Sequence, residues 1–162
     1  MSRTLSIANK LLSLRGRMTV VDESGATAFE AHGTWSFFVK RWLIEQNGKT
    51  VLSLRRKIFA LRTTWLVSGE LGEFRLRRKW LAFTRQYVAI GGPFDGAQIK
   101  GNVLGLKFSV THGKRPLATV RTKLLTLRER QTIDVEDDAV AFVVAAIVVM
   151  RLDRHDEQEQ DE

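Results

Sequence analysis

Two basic triplets, Arg55-Arg56-Lys57 and Arg77-Arg78-Lys79, lie 22 residues apart, and Trp80 follows the second directly. Of all the residues in this chain they are the best suited to chemistry, and the chemistry is anion recognition. A guanidinium fork matches phosphate oxygens, and a lysine adds a point charge. A tryptophan beside such a cluster can anchor at a membrane interface or stack on a nucleic-acid base. The surroundings are basic too: residues 40–85 hold twelve Lys or Arg and three acids. Charge runs of this kind also occur as solvated turns that deter edge pairing. The candidate anion or lipid site is Arg55, Arg56, Lys57, Arg77, Arg78, Lys79 and Trp80.

The other chemistry-bearing residue types do not assemble a catalytic constellation. The chain has no Cys, so it has no disulfide framework, thiolate metal site or cysteine nucleophile. His32, His112 and His155 are far apart and lack metal-ligand spacing. No G-x-S-x-G, G-x-G-x-x-G or P-loop occurs. Glu136, Asp137 and Asp138 are too clustered to serve as a general acid–base pair, and they suit a helix start instead. The expectation is a non-enzymatic protein without catalytic residues, metal or cofactor.

Charge is unevenly spread over the 162 residues. Six acids against one base give residues 153–162 a net charge of −5, which leaves +13 on residues 1–152 out of a total of +8. The acidic segment reads as a disordered tail, and one domain is expected over 1–152. The N-terminal residues lack a secretory pattern, and Leu5, Ile7, Leu11, Leu12 and Leu14 suit a short amphipathic segment packed on the domain.

The elements that must position the triplets come from a repeat. Lys57, Lys79 and Lys123 stand at intervals of 22 and 44 residues, each between two alternating apolar runs. In the first unit Leu52 and Leu54 precede the basic turn, and Phe59, Leu61, Trp65 and Val67 share one parity after it. Period-two alternation marks half-buried strands. Turn signals at Ser24-Gly25, Asn47-Gly48, Gly69 to Gly72, Gly91-Gly92-Pro93, Asp95-Gly96 and His112-Gly113 separate them. About eleven or twelve strands result from this alternation rule, and so many antiparallel strands hide their edges best in a closed barrel.

Residues 139–150 are twelve uninterrupted apolar residues, too few to span a bilayer, which needs about 20. The acids before this run and Arg151 and Arg154 after it suit a helix over about 137–152, with Asp134 or Asp137 as its cap, while its Val content also allows a thirteenth strand as the competing reading. A helix that is apolar on every side needs cover on every side, which a barrel wrapped around it supplies. The fold class expected is mainly β, a closed antiparallel barrel of about twelve strands around a central hydrophobic C-terminal helix.

The repeated strand-Arg-x-Lys-strand units, the Asp22-Glu-Ser-Gly25 turn, Asn47-Gly48, and Val135-Glu-Asp-Asp138 leading into an apolar helix that ends at Asp153 resemble the LURP-one-related family. That family is similar in fold to the tubby C-terminal domain and the phospholipid scramblases. The resemblance covers about residues 5 to 153 and implies a twelve-stranded barrel around a central helix. Tubby domains bind phosphoinositide head groups through basic residues on the barrel, and no individual residue is carried over from them to this chain. Resemblance and charge together point to a module that engages anionic phospholipid at a membrane surface, either free in the cytoplasm or peripheral at the inner face of the membrane. The alternatives are nucleic-acid binding, with Trp80 and Tyr87 as stacking platforms, and a structural or regulatory scaffold with no small ligand, whose acidic tail folds back over the basic rim.

Overall fold

A computed structural model of the chain describes residues 2–7, 16–34, 41–80, 85–101, 108–122 and 131–160. Among these, twelve strands close into one antiparallel barrel. They are β1 (Ser2–Ile7), β2 (Arg17–Val21), β3 (Thr27–Thr34), β4 (Arg41–Gln46), β5 (Lys49–Arg56), β6 (Thr64–Gly69), β7 (Phe74–Arg78), β8 (Arg85–Ile90), β9 (Gln98–Gly101), β10 (Phe108–His112), β11 (Arg115–Thr122) and β12 (Gln131–Glu136). Each strand pairs with its sequence neighbours, and β1 pairs with β12 from Ser2↔Glu136 to Ile7↔Gln131, which closes the ring. The first segment is therefore a barrel strand rather than an amphipathic segment lying on the domain. Leu5 points to the core, and Thr4 Oγ1 donates to Asp134 at 3.0 Å. The positions of Leu11, Leu12 and Leu14 lie outside the described residues.

Alternation sets the faces of the strands. Leu52, Leu54, Trp65, Val67, Phe74, Leu76, Tyr87 and Ala89 all face inward and are buried. Asn47 at φ 52° and Gly48 at φ 75° form the two-residue connection of β4 and β5, which the Asn-Gly pair predicts. Gly69 ends β6 at φ 142°, where an added Cβ would lie 2.2 Å from the Val51 carbonyl oxygen.

A 3₁₀ turn over Asp137–Ala139 leads from β12 into the helix α1, Val140–Gln160. Residues 142–149 of the helix are buried on every face, so the strands surround it. Phe142 packs on Phe94 and Phe74, with ring centroids 4.8 and 5.6 Å away. Glu136 occupies the helix N-cap without a side-chain cap, and Asp134 lies within β12. Neither Asp134 nor Asp137 caps the helix. Instead the neighbouring carboxylates tie down the barrel mouth: Asp137 accepts from Arg3 at 2.8 Å and Asp138 from both Arg115 nitrogens at 3.0 and 2.7 Å.

The helix also runs eight residues beyond the expected end. Residues 153–160 continue α1 instead of forming a frayed acidic tail. Asp153, Asp156 and Glu157 stand at i, i+3 and i+4, on one helix face, and that face meets the inside of the barrel wall.

Candidate functional site

The strands β5 and β7 flank β6 and run in the same direction, so their C-terminal ends share one rim of the barrel. Arg56 pairs with Trp65 and Thr64 with Arg77 across the two ladders. The Lys57 N–H donates to the Thr64 carbonyl at 2.8 Å, and the Arg78 N–H donates to the Thr63 carbonyl at 2.9 Å. Both triplets and Trp80 are thereby brought to one rim, two strand spacings or about 10 Å apart. Lys123, at the equivalent position of the third repeat, lies outside the described residues.

Strand parity splits each triplet into three directions. The middle residues, Arg56 and Arg78, share the inward parity of Leu54 and Leu76. Arg55 and Arg77 take the outward parity, and Lys57 and Lys79 stand just past the strand ends. The inward arginines meet the end of the helix. Arg56 Nη1 donates to Asp156 Oδ2 at 2.7 Å. Arg78 donates to Glu157 Oε1, and Arg85, at the start of β8, donates to Glu157 Oε2. Arg85 is buried, and its other nitrogen donates to the Met150 carbonyl at 3.2 Å. Deeper in, Asp153 accepts from the Trp65 indole N–H at 2.9 Å and from the Tyr87 hydroxyl.

These contacts set the ionisation of the cluster. Burial pushes the Asp153 carboxyl above its ordinary value, against the pull of the Tyr87 and Trp65 hydrogen bonds and the Arg56 and Arg78 charges. Burial, with the adjacent Asp153, pushes the Tyr87 phenol up, so it stays a donor. Burial also opposes charge on Glu157, but the Arg78 hydrogen bond and the Arg85 and Arg78 charges outweigh it and hold that carboxyl below its ordinary range. A recess lined by Arg56, Thr63, Arg78, Asp153, Asp156 and Glu157 opens at this rim. The carboxylates of the chain itself line it beside the two arginines, as a phosphate would have to do. Arg56 and Arg78 therefore hold the helix, and the outward residues of the triplets have no such carboxylate partner among the described residues.

The outer wall extends that set. Arg41 of β4 and Arg55 of β5 are direct cross-strand partners, and Arg75 follows in the same row across Leu66. Like charges facing each other across a ladder are unfavourable unless an anion screens them. Arg41, Arg55, Lys57, Arg75, Arg77 and Lys79 make no ion pair among the described residues.

The apolar residues of the first unit also differ from expectation. Phe59 and Leu61 are not inward strand residues, because β6 begins only at Thr64. They lie in the 57–63 loop and are 97 % and 96 % exposed, with Ile58 at 64 %. Trp80 is 70 % exposed, and the Arg62 guanidinium lies 5.6 Å from its ring centroid. Tyr87 is fully buried and cannot stack on a base. Trp65 and Trp42 are core residues, whereas Trp35 lies outside the described residues.

Sequence reasoning missed Arg85, and it held Asp153, Asp156 and Glu157 only as part of an acidic tail that folds back over the basic rim in the scaffold alternative; the structure pairs Asp156 with Arg56 and Glu157 with Arg78. The signal available was the i, i+3, i+4 spacing of the three acids, which composition alone had assigned to a tail. His32 and His112 serve locally: His32 sits 3.6 Å from Glu45, and His112 Nε2 is 2.9 Å from the Asp95 carbonyl. Among the described residues no group of three potential ligands could hold a metal ion, and no helix is long and apolar enough to cross a membrane.

A closed antiparallel barrel around one buried C-terminal helix, with basic strand ends at one rim, defines a tubby-like barrel protein. The LURP-one-related family model matches residues 3–151, and the chain belongs to that family. Among solved structures, an Arabidopsis thaliana protein is similar in fold, with a TM-score of 0.67 over 91 % of this chain and 88 % of that one at 16 % identity. A comparison with curated proteins finds no match.

Proposed function

We propose that this protein is a non-enzymatic module that engages anionic phospholipid head groups at a membrane surface through the outward side of its basic rim. The observation that carries this reading is the set of Arg41, Arg55, Lys57, Arg75, Arg77 and Lys79 on one end of one wall, without an acid partner among the described residues. Rows of guanidinium and ammonium groups suit phosphate diesters, and the density of charge favours a surface over a single small ligand. Arg56 and Arg78 contribute indirectly, by fixing the helix end that supports the rim.

Co-sedimentation with phosphatidylcholine vesicles, with and without phosphatidylserine, tests the reading. Binding is expected only to the acidic vesicles, weakening as salt rises. The Arg55→Glu/Arg77→Glu variant is expected to lose it with an unchanged melting temperature. Equal recovery with neutral and acidic vesicles would overturn the proposal. Binding of DNA or RNA in preference to acidic vesicles would do the same and favour the nucleic-acid alternative.

A further inference from the structure

The 57–63 loop presents three apolar side chains to water at the tip of a basic wall, an arrangement that membrane binding by charge alone does not require. Single exposed apolar residues are ordinary on protein surfaces. Here Ile58, Phe59 and Leu61 fall within four positions, and Phe59 and Leu61 are almost completely bare. Arg62 bridges the loop to Trp80 by lying over the indole ring, so the fourth exposed apolar side chain joins the same tip. The loop is anchored at its base, where Lys57 N–H donates to the Thr64 carbonyl at 2.8 Å and Thr64 Oγ1 donates to the Arg62 carbonyl at 2.9 Å. No acid occurs between Glu45 and Glu70, nor between Glu73 and Asp95. The chain neighbours of the apolar tip are therefore cations, and the carboxylates at the same rim, Asp156 and Glu157, are held on the inner side by Arg56, Arg78 and Arg85. Outward cations rest at the head-group level when an apolar segment enters a bilayer.

We propose that Ile58, Phe59, Leu61 and Trp80 form a finger that inserts into the boundary between head groups and acyl chains of an anionic membrane. Arg55, Lys57, Arg62, Arg77 and Lys79 hold lipid phosphates around its base. This inference rests on the lipid-binding reading and adds depth and orientation to it: the barrel docks end-on, with the basic rim against the bilayer and the Asn47-Gly48 rim facing away. Phe59 and Leu61 supply hydrophobic partition, Trp80 settles at the interface as amphipathic indoles do, and the cations set the preference for acidic lipid.

Trp80 emission, read as the difference between the protein and its Trp80→Phe variant, reports insertion when vesicles of phosphatidylcholine and phosphatidylserine carry brominated acyl chains. Quenching of that difference signal is expected with the acidic brominated vesicles. The Phe59→Ser/Leu61→Ser variant is expected to melt at the same temperature, since both side chains already face water. It should bind these vesicles more weakly by roughly tenfold per side chain removed. If it binds as tightly as the unmodified protein and Trp80 goes unquenched, insertion is wrong and the charge-based reading stands. If the unmodified protein binds no acidic vesicle, both readings fail together. If the double substitution instead dissolves a dimer seen by light scattering, the tip is covered by a second copy of the chain and insertion is overturned.

Discussion

The indole N–H of Trp65 donates to the carboxylate of Asp153 at 2.9 Å, joining the rim end of β6 to the point where the helix leaves the core. The Tyr87 hydroxyl reaches the other oxygen of the same carboxylate. Without Asp153, two buried donors lose their acceptor.

That pairing separates two substitutions. Asp153→Ala should cost about 1–3 kcal/mol for each donor left unsatisfied. Asp153→Asn keeps one acceptor for Trp65 and offers a donor to the Tyr87 oxygen, so it should stay within about 1 kcal/mol of the unmodified protein. Denaturant melts at neutral pH check the order. Equal damage from both substitutions would show that the charge, rather than the acceptor geometry, is what the core needs.

Asp153 and Glu157 should titrate in opposite senses. Burial raises the folded-state value of Asp153 above its ordinary 3.8. Its contribution to stability is therefore full below that value and is lost as pH climbs through the folded one. The stability of the unmodified protein minus that of Asp153→Asn should fall as pH rises from about 4. Glu157 is held below its ordinary 4.5, despite partial burial, by Arg78 and Arg85. Its contribution is present above 4.5 and is lost as pH falls through the lower folded value. The corresponding difference against Glu157→Gln should shrink on acidification. Urea melts between pH 3 and 7 would show both slopes, and a common sign would refute the assignment.

The two arginines of each triplet should separate binding from stability. Glutamate at Arg56 and Arg78 places carboxylates against Asp156 and Glu157, so that double variant should lower the melting temperature markedly. The same change at Arg55 and Arg77 meets no acid partner among the described residues and should leave the melt unchanged while abolishing recovery with acidic vesicles. Thermal melts read beside vesicle sedimentation decide it. A drop in melting temperature for the outward pair would contradict the split by parity.

Gly69→Ala should cost about 1–3 kcal/mol, because φ 142° is strained for any side chain and the new Cβ would press on the Val51 carbonyl. Gly48→Ala has open space around the added carbon and meets only the penalty of a positive φ, so it should cost less. A chemical denaturation series on the two variants checks the ranking.

Most of the barrel was legible in the sequence, because a strand wall buried on one face must alternate and Leu52, Leu54, Trp65, Val67, Phe74 and Leu76 do so without a break. The same rule misled at Phe59 and Leu61. A hairpin loop between two strands can continue the parity of its flanks while its side chains point into water, and nothing in the local pattern distinguishes the two. The buried helix was legible because residues 139–150 are apolar on every side. Its extension was hidden by composition: residues 153–162 resemble a solvated tail until Asp153, Asp156 and Glu157 are placed on one helix face opposite Arg56, Arg78 and Arg85. The site was half legible. Its cations were visible as a repeat, but their division into helix-holding and outward residues depends on which face of the strand each one takes.

The order of the elements along the chain has a consequence for synthesis. All twelve described strands precede the helix that fills them, and β1 closes only against β12. A ribosome therefore releases the whole wall before its filling, and the inward faces of Leu54, Leu76 and Ile99 have no native cover until residues 139–152 emerge. Pairings of such long sequence separation form slowly, and exposed strand edges invite association in the meantime. Nascent chains arrested before residue 139 should be held by chaperones or aggregate, and release of the helix should be the step that commits the molecule to its barrel.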